Sequence, residues 1–148
     1  MPWARIAAAA FLAAICLLAM PAGAATPPRL GFSELYVTRS AIDIGFSDKV
    51  KALAGHDVAI KGYMAPPLKA EARFFVLTRE PMAVCPFCSS DADWPMDIIV
   101  VYLADSAAPT DPNRPIVARG RLETGSWIDP DTGFVSQLRL RDASFTAE

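Results

Sequence analysis

Histidine is nearly missing from this chain: His56 is the only one in 148 residues. A His-Glu-x-x-His zinc helix is therefore excluded, and a Ser-His-Asp arrangement would have to use His56, beside which the sequence offers no nucleophile. No Gly-x-Ser-x-Gly elbow occurs, and no glycine-rich phosphate loop. Three cysteines are too few for a disulfide scaffold. Basic residues do not exceed acidic ones: 14 face 16, for a formal net charge of −2. That balance lacks the basic footprint of a nucleic-acid binder. Beyond residue 24 no apolar run reaches the roughly 18 residues of a membrane-span candidate. A small domain also leaves little surface for a deep hydrolytic cleft, so a non-enzymatic protein is expected.

The apolar residues that are present cluster first at the N-terminus. Residues 1–24 read as a secretory signal peptide. Arg5 supplies the positive start, residues 6–20 form an uncharged apolar run, Pro21 breaks it, and Ala22, Gly23 and Ala24 offer small side chains for cleavage before Ala25. The run is shorter than the roughly 20 residues of a spanning helix, so no stable membrane span is expected after cleavage. Ile15 precedes Cys16 where lipoprotein processing wants a small side chain, and Cys16 is expected to leave with the signal. The expected location is the periplasm or the exterior, which are oxidising.

Residues 25–46 read as a loose leader through Pro27-Pro28, then a possible opening strand using Tyr36, Val37, Ile42 and Ile44. Residues 47–148 read as one domain. Ser47-Asp48 is a helix start, Val50, Leu53 and Ala54 follow at helical spacing, and Gly55 stands where the end of a short helix belongs. Strands come next. Val58, Ile60, Gly62 and Met64 alternate with Ala59, Lys61 and Tyr63. Residues 73–78 are aromatic and branched. Residues 98–103 are apolar on both faces, which marks a central strand. Residues 104–115 form a loop by composition. Ile116, Ala118, Gly120 and Leu122 alternate with Val117, Arg119, Arg121 and Glu123, and Leu138 and Leu140 with Gln137, Arg139 and Arg141. Asp129, Asp131 and Gly133 mark a turn between those last two strands. Glycines inside strands at Gly62 and Gly120 suit tight bends. About five strands, one short helix and no alternating long helices predict a small, mainly β, OB-like antiparallel barrel; an open β-sandwich is the alternative.

The sharpest chemical signal is Cys85-Pro86-Phe87-Cys88. Three readings stand. The thiolates bind a soft metal, zinc or Cu(I), with Asp91, Asp93 or His56 as further ligands. Or the pair closes into a disulfide that staples a long loop. Or it exchanges disulfides, although Pro95 leaves no room for the long helix such a site needs. Trp94 and Trp127 read as partial core.

Residues 53–68, Leu-Ala-Gly-His-Asp-Val-Ala-Ile-Lys-Gly-Tyr-Met-Ala-Pro-Pro-Leu, resemble a block shared by an uncharacterised family of exported bacterial proteins: Leu-x-Gly-x-x-Val-x-Ile-x-Gly-aromatic-Met-x-Pro-Leu. A strand like residues 74–77, a cysteine-bearing loop and an Ile/Val-rich strand follow in that family. The resemblance implies a periplasmic OB-like domain. It also implies, through relatives encoded beside metal-responsive and ABC-type transport genes, a role in metal homeostasis with envelope ABC transporter components as partners. Many relatives carry a proline-rich, histidine-containing stretch after their first cysteine. This chain has Pro-Phe-Cys-Ser-Ser, so only Cys85 and Cys88 carry over. The expected function is that of a periplasmic accessory protein with a soft-metal site. Its alternatives are an envelope module that binds protein or ligand on its barrel face, and a thiol–disulfide oxidoreductase.

Overall fold

A computed structural model describes residues 26–40, 43–66, 73–82 and 96–148. Its first strands, β1 (Tyr36–Ser40) and β2 (Asp43–Phe46), pair antiparallel as a separate two-stranded sheet. The expected single opening strand is thus a hairpin, with Tyr36 opposite Phe46. Helix α1 (Asp48–Leu53) follows. Its N-cap is Ser47, whose Oγ accepts from the Val50 N–H at 3.1 Å and donates to the Glu34 carbonyl at 2.6 Å. Gly55, with φ +81°, turns the chain out of the helix, a left-handed conformation that glycine adopts without a Cβ penalty.

Five further strands follow: β3 (Asp57–Met64), β4 (Phe74–Thr78), β5 (Ile98–Leu103), β6 (Pro115–Ile128) and β7 (Val135–Ala147). They close into a barrel in the order β3-β4-β5-β7-β6, β6 pairing back to β3. The mainly β, barrel-forming reading holds, but the barrel is not wholly antiparallel: β5 and β7 run parallel. Parity forces this. Strands around a ring can alternate direction throughout only if their number is even, so five strands leave one parallel pair. The connection through residues 104–114 crosses from β5 to β6, and that crossover lets β7 return beside β5.

The barrel interior is filled by Ile60, Leu77, Ile99, Ile116, Leu122 and Leu140, all fully buried. Val50 of α1 plugs into the same cluster. So do Leu30 and Leu35, from the stretch between the expected loose leader and β1. The reason lies in β4. It is short and pairs with β3 only at Tyr63 and Met64. The leader takes the edge that β4 leaves open: Leu30 N–H donates to the Ala59 carbonyl at 3.0 Å, and Ala59 N–H donates to the Pro28 carbonyl at 2.9 Å.

Two glycines permit the close strand approaches that curve the wall. A Cβ on Gly62 would lie 2.6 Å from the Thr78 carbonyl oxygen, and one on Gly120 2.7 Å from that of Arg141. The β6–β7 register shifts at Gly120, opposite Asp142, whose φ is +49°. Because both obstacles are backbone, Gly62→Ala and Gly120→Ala are each expected to lower stability by about 1–3 kcal/mol or more through overpacking, as read from chemical denaturation midpoints.

A second apolar layer lies outside the barrel. Phe74, Val76, Ile98, Val100 and Tyr102 alternate with the inward Phe75, Leu77, Ile99 and Val101 and are nevertheless buried. Their cover is the long β6–β7 hairpin, from which Phe134 and Trp127 pack onto them. This is the structural basis of a β5 that is apolar on both faces.

Candidate ligand-binding cleft

The cysteine loop lies on the β4–β5 connection, and Cys85, Cys88, Asp91, Asp93 and Trp94 fall outside the described residues. His56 is described. It is exposed at the start of β3, and its Nδ1 lies 3.2 Å from the Ala54 carbonyl, which ties the ring back to its own turn. It borders an open hollow of about 700 Å³ with Pro28, Leu53, Arg119 and Ser144. In the strand register it sits at the opposite end of β3 from Tyr63, the partner of Thr78, where the cysteine-bearing connection leaves β4. Among the described residues no three His, Cys, Asp or Glu side chains converge on a metal position. No helix among them is long and apolar enough to cross a membrane.

The side chains that do converge were not singled out by the sequence. Parallel pairing sets Arg139 of β7 beside Val100 of β5 and Leu140 beside Val101, which brings Arg141, two residues along β7, next to Tyr102. Antiparallel pairing sets Glu123 of β6 opposite Arg139. One carboxylate oxygen, Glu123 Oε2, then accepts from both arginines: Arg139 Nε at 2.9 Å and Arg141 Nε at 3.2 Å. Arg139 is only 6% exposed. Its Nη1 also donates to the Gly125 carbonyl at 2.8 Å. The Arg141 guanidinium sits in the corner between two rings, 3.9 Å from the Trp127 ring centroid and 4.4 Å from that of Tyr102. Trp127 meets Tyr102 edge-on at 5.2 Å and 89°. Such cation–π contacts contribute about 0.5–2 kcal/mol each, and the edge-to-face pair about 0.5–1.5 kcal/mol.

The turn after β6 closes one side. Asp129 Oδ1 accepts from Asp131 N–H at 3.1 Å, from Thr132 N–H at 2.8 Å and from Thr132 Oγ1 at 2.8 Å. Gly133, at φ +74°, donates to the Asp129 carbonyl. The aspartates and glycine expected to build this turn do so, and the result is an internally hydrogen-bonded wall. Between it and the arginine stack opens a cleft of about 520 Å³, lined by Arg73, Phe74, Tyr102, Trp127, Asp131 and Arg141 among others. Small-molecule sites span roughly 300–1,000 Å³.

The cleft's charges are held in fixed states. Burial opposes ionisation of Glu123, but the hydrogen bonds from Arg139 and Arg141 outweigh it and keep the carboxyl below its ordinary range. Burial likewise opposes ionisation of Asp129, and the Thr132 and Asp131 donors outweigh it. Burial first, then the nearby Asp129 carboxylate, push the Tyr102 phenol well above its ordinary value. Asp129 approaches that hydroxyl without hydrogen-bond geometry: among the described residues the buried Tyr102 oxygen has no partner. Carboxyls with lowered folded-state values stabilise the fold at neutral pH, and that contribution is lost as pH falls through those values. The melting temperature is expected to be flat down to about pH 5 and to decline below it, with a shallower decline in Glu123→Gln, measured by thermal denaturation across a pH series.

No family model matches the chain. None of the curated proteins matches it. Among solved structures it is similar to the crystal structure of a DUF3299 family protein from Pseudomonas aeruginosa PAO1. The TM-score is 0.56 at 16% identity, over 83% of this chain and 97% of that one. At such identity the likeness speaks to the fold alone, and the neighbour belongs to a bacterial family of uncharacterised function.

Arg139, Arg141 and Glu123 left a trace in the sequence. Two arginines alternate with Leu138 and Leu140 on one strand face, opposite a strand that carries a lone glutamate on its outward side. Alternation alone marks such a face as solvated. Only the cover provided by the hairpin turns it into a buried charge cluster.

Proposed function

We propose that this chain is a non-enzymatic binding module that works outside the cytoplasm, in the periplasm or beyond, and holds its ligand in the cleft between β5, β7 and the 129–133 turn. The observation that carries this reading is Arg141. Its Nε is bonded to Glu123 and its guanidinium packs into the corner between the Trp127 and Tyr102 rings, yet its terminal nitrogens have no acceptor among the described residues. A guanidinium so oriented at the wall of a 520 Å³ opening is set up for recognition. Nothing in its own strand pairing requires the arrangement. The N-terminal signal pattern supports export, and the resemblance of residues 53–68 to exported bacterial proteins supports work beside an envelope ABC transporter. In this reading Cys85 and Cys88 form a disulfide that staples the β4–β5 connection.

Amide NMR of the exported protein against a mixed library of sugars, carboxylates, aromatic amines and short peptides tests the cleft. Shifts are expected to concentrate on Tyr102, Trp127, Asp131 and Arg141. Shifts confined elsewhere, or none at all, overturn the reading. Metal analysis of reduced protein bears on the cysteines. Stoichiometric zinc or copper that disappears in Cys85→Ser would replace the staple with a soft-metal site.

A further inference from the structure

We infer that the cleft's ligand is a neutral saccharide, which rests on the cleft being the binding site proposed above. The electrical balance of the lining carries the inference. Arg73 and Arg141 stand against Asp129, Asp131 and Asp142. Asp142 is paired with Arg121 at 2.7 Å, which leaves two arginines against the two ionised aspartates of the turn: a guanidinium wall facing an acidic one, with no net sign. An anion or a cation would be attracted by one side and repelled by the other, and would give up hydration for little return.

A sugar hydroxyl avoids that conflict because it has one donor and two acceptor lone pairs. It can accept from Arg141 and donate to Asp131 at once. Aromatic surface completes the match. Phe74 and Tyr102 are buried, but the half-buried Trp127 borders the same space, and the axial C–H face of a pyranose packs on such a ring while its hydroxyls point outward.

Calorimetric titration of the exported protein with cellotetraose, maltotetraose and N-acetylglucosamine tetramer tests this, beside galacturonate tetramer and inorganic phosphate as anionic probes. At least one neutral tetrasaccharide is expected to bind saturably, with affinity unchanged at high salt, and to shift the Trp127 indole resonance. Trp127→Ala should weaken it about tenfold or more, and Asp131→Asn and Arg73→Ala, both at exposed positions, should weaken it several-fold without lowering the melting temperature. Saturable binding that Asp131→Asn and Arg73→Ala leave intact lies elsewhere and overturns the inference. Binding of galacturonate or phosphate alone, with steep salt dependence, overturns the saccharide and leaves the cleft standing. So does a cleft that responds in the mixed library while all three neutral tetrasaccharides fail. If neither the library nor the sugars perturb the cleft, both readings fall together.

Discussion

Glu123→Ala is expected to lower stability by about 3 kcal/mol, the penalty typical of stranding one member of a buried ion pair. Arg139 is the reason. Its side chain is 8% exposed against 33% for Glu123, and an arginine cannot shed its proton to escape a low-dielectric site. The carbonyl of Gly125 and the Ser136 oxygens still accept from Nη1, but they bring dipoles and no charge. Arg141 loses the same carboxylate at less cost because its side chain is 23% exposed. Glu123→Gln keeps an acceptor in place and should fall between wild type and alanine. The double variant Glu123→Ala with Arg139→Met should recover a large part of the loss, since no charge is then left buried. Urea denaturation of the wild type, Glu123→Ala, Arg139→Met and the double variant measures the coupling. Additive losses would mean that the pair contributes nothing as a pair.

Local rules were enough where the structure depends on neighbours in sequence. Ser47 and Gly55 bracket α1 as their side-chain and backbone preferences dictate. The alternation around Ile60 and Ile116 places their faces in the barrel, and Gly62 and Gly120 mark the points where strands crowd. The turn at residues 129–133 follows from Asp129 accepting three local donors. Each of these is settled within a few residues. The parallel β5–β7 pair is not, because it follows from closing a ring of five strands, a property of the whole set. Leu30 and Leu35 belong to no periodic run, and their burial depends on how short β4 is.

The cleft was hidden for a related reason. Residues 98–103 announced that something must cover the outer side of β5, yet the cover comes from Trp127 and Phe134, more than twenty residues away and separated by the turn they flank. Until that hairpin lies across β5, Arg139 and Arg141 look like ordinary solvated positions. The sequence's own strongest signal, Cys85 and Cys88, falls on the connection outside the described residues. Chemistry in the motif and chemistry in the cleft occupy different stretches of the chain. Neither could have been inferred from the other.

Phe134→Ala is expected to separate the two apolar layers. Phe→Ala in a full core costs about 3–5 kcal/mol; Phe134 is half-buried, so a loss of about 2–3 kcal/mol follows. The nature of the damage matters as much as its size. Phe134 touches Ala65, Val76 and Ile98 on one side and Phe74, Val100 and Tyr102 on the other, and it stacks on Phe74 at 5.4 Å. It takes no part in the interior cluster of Ile60, Leu77, Ile99 and Leu140. The variant should therefore keep its far-ultraviolet strand signal and lose part of the near-ultraviolet signal of Trp127 and Tyr102. It should also bind a hydrophobic dye, because removing the ring uncovers a contiguous apolar strip on β4 and β5. Phe134→Leu, which keeps most of the covered area, should do so only weakly. A Phe134→Ala protein with native dye binding and an unchanged Trp127 environment would mean that the hairpin is held down by the Arg139–Glu123 cluster alone. In that case the outer layer would be a consequence of the charge network and not its support.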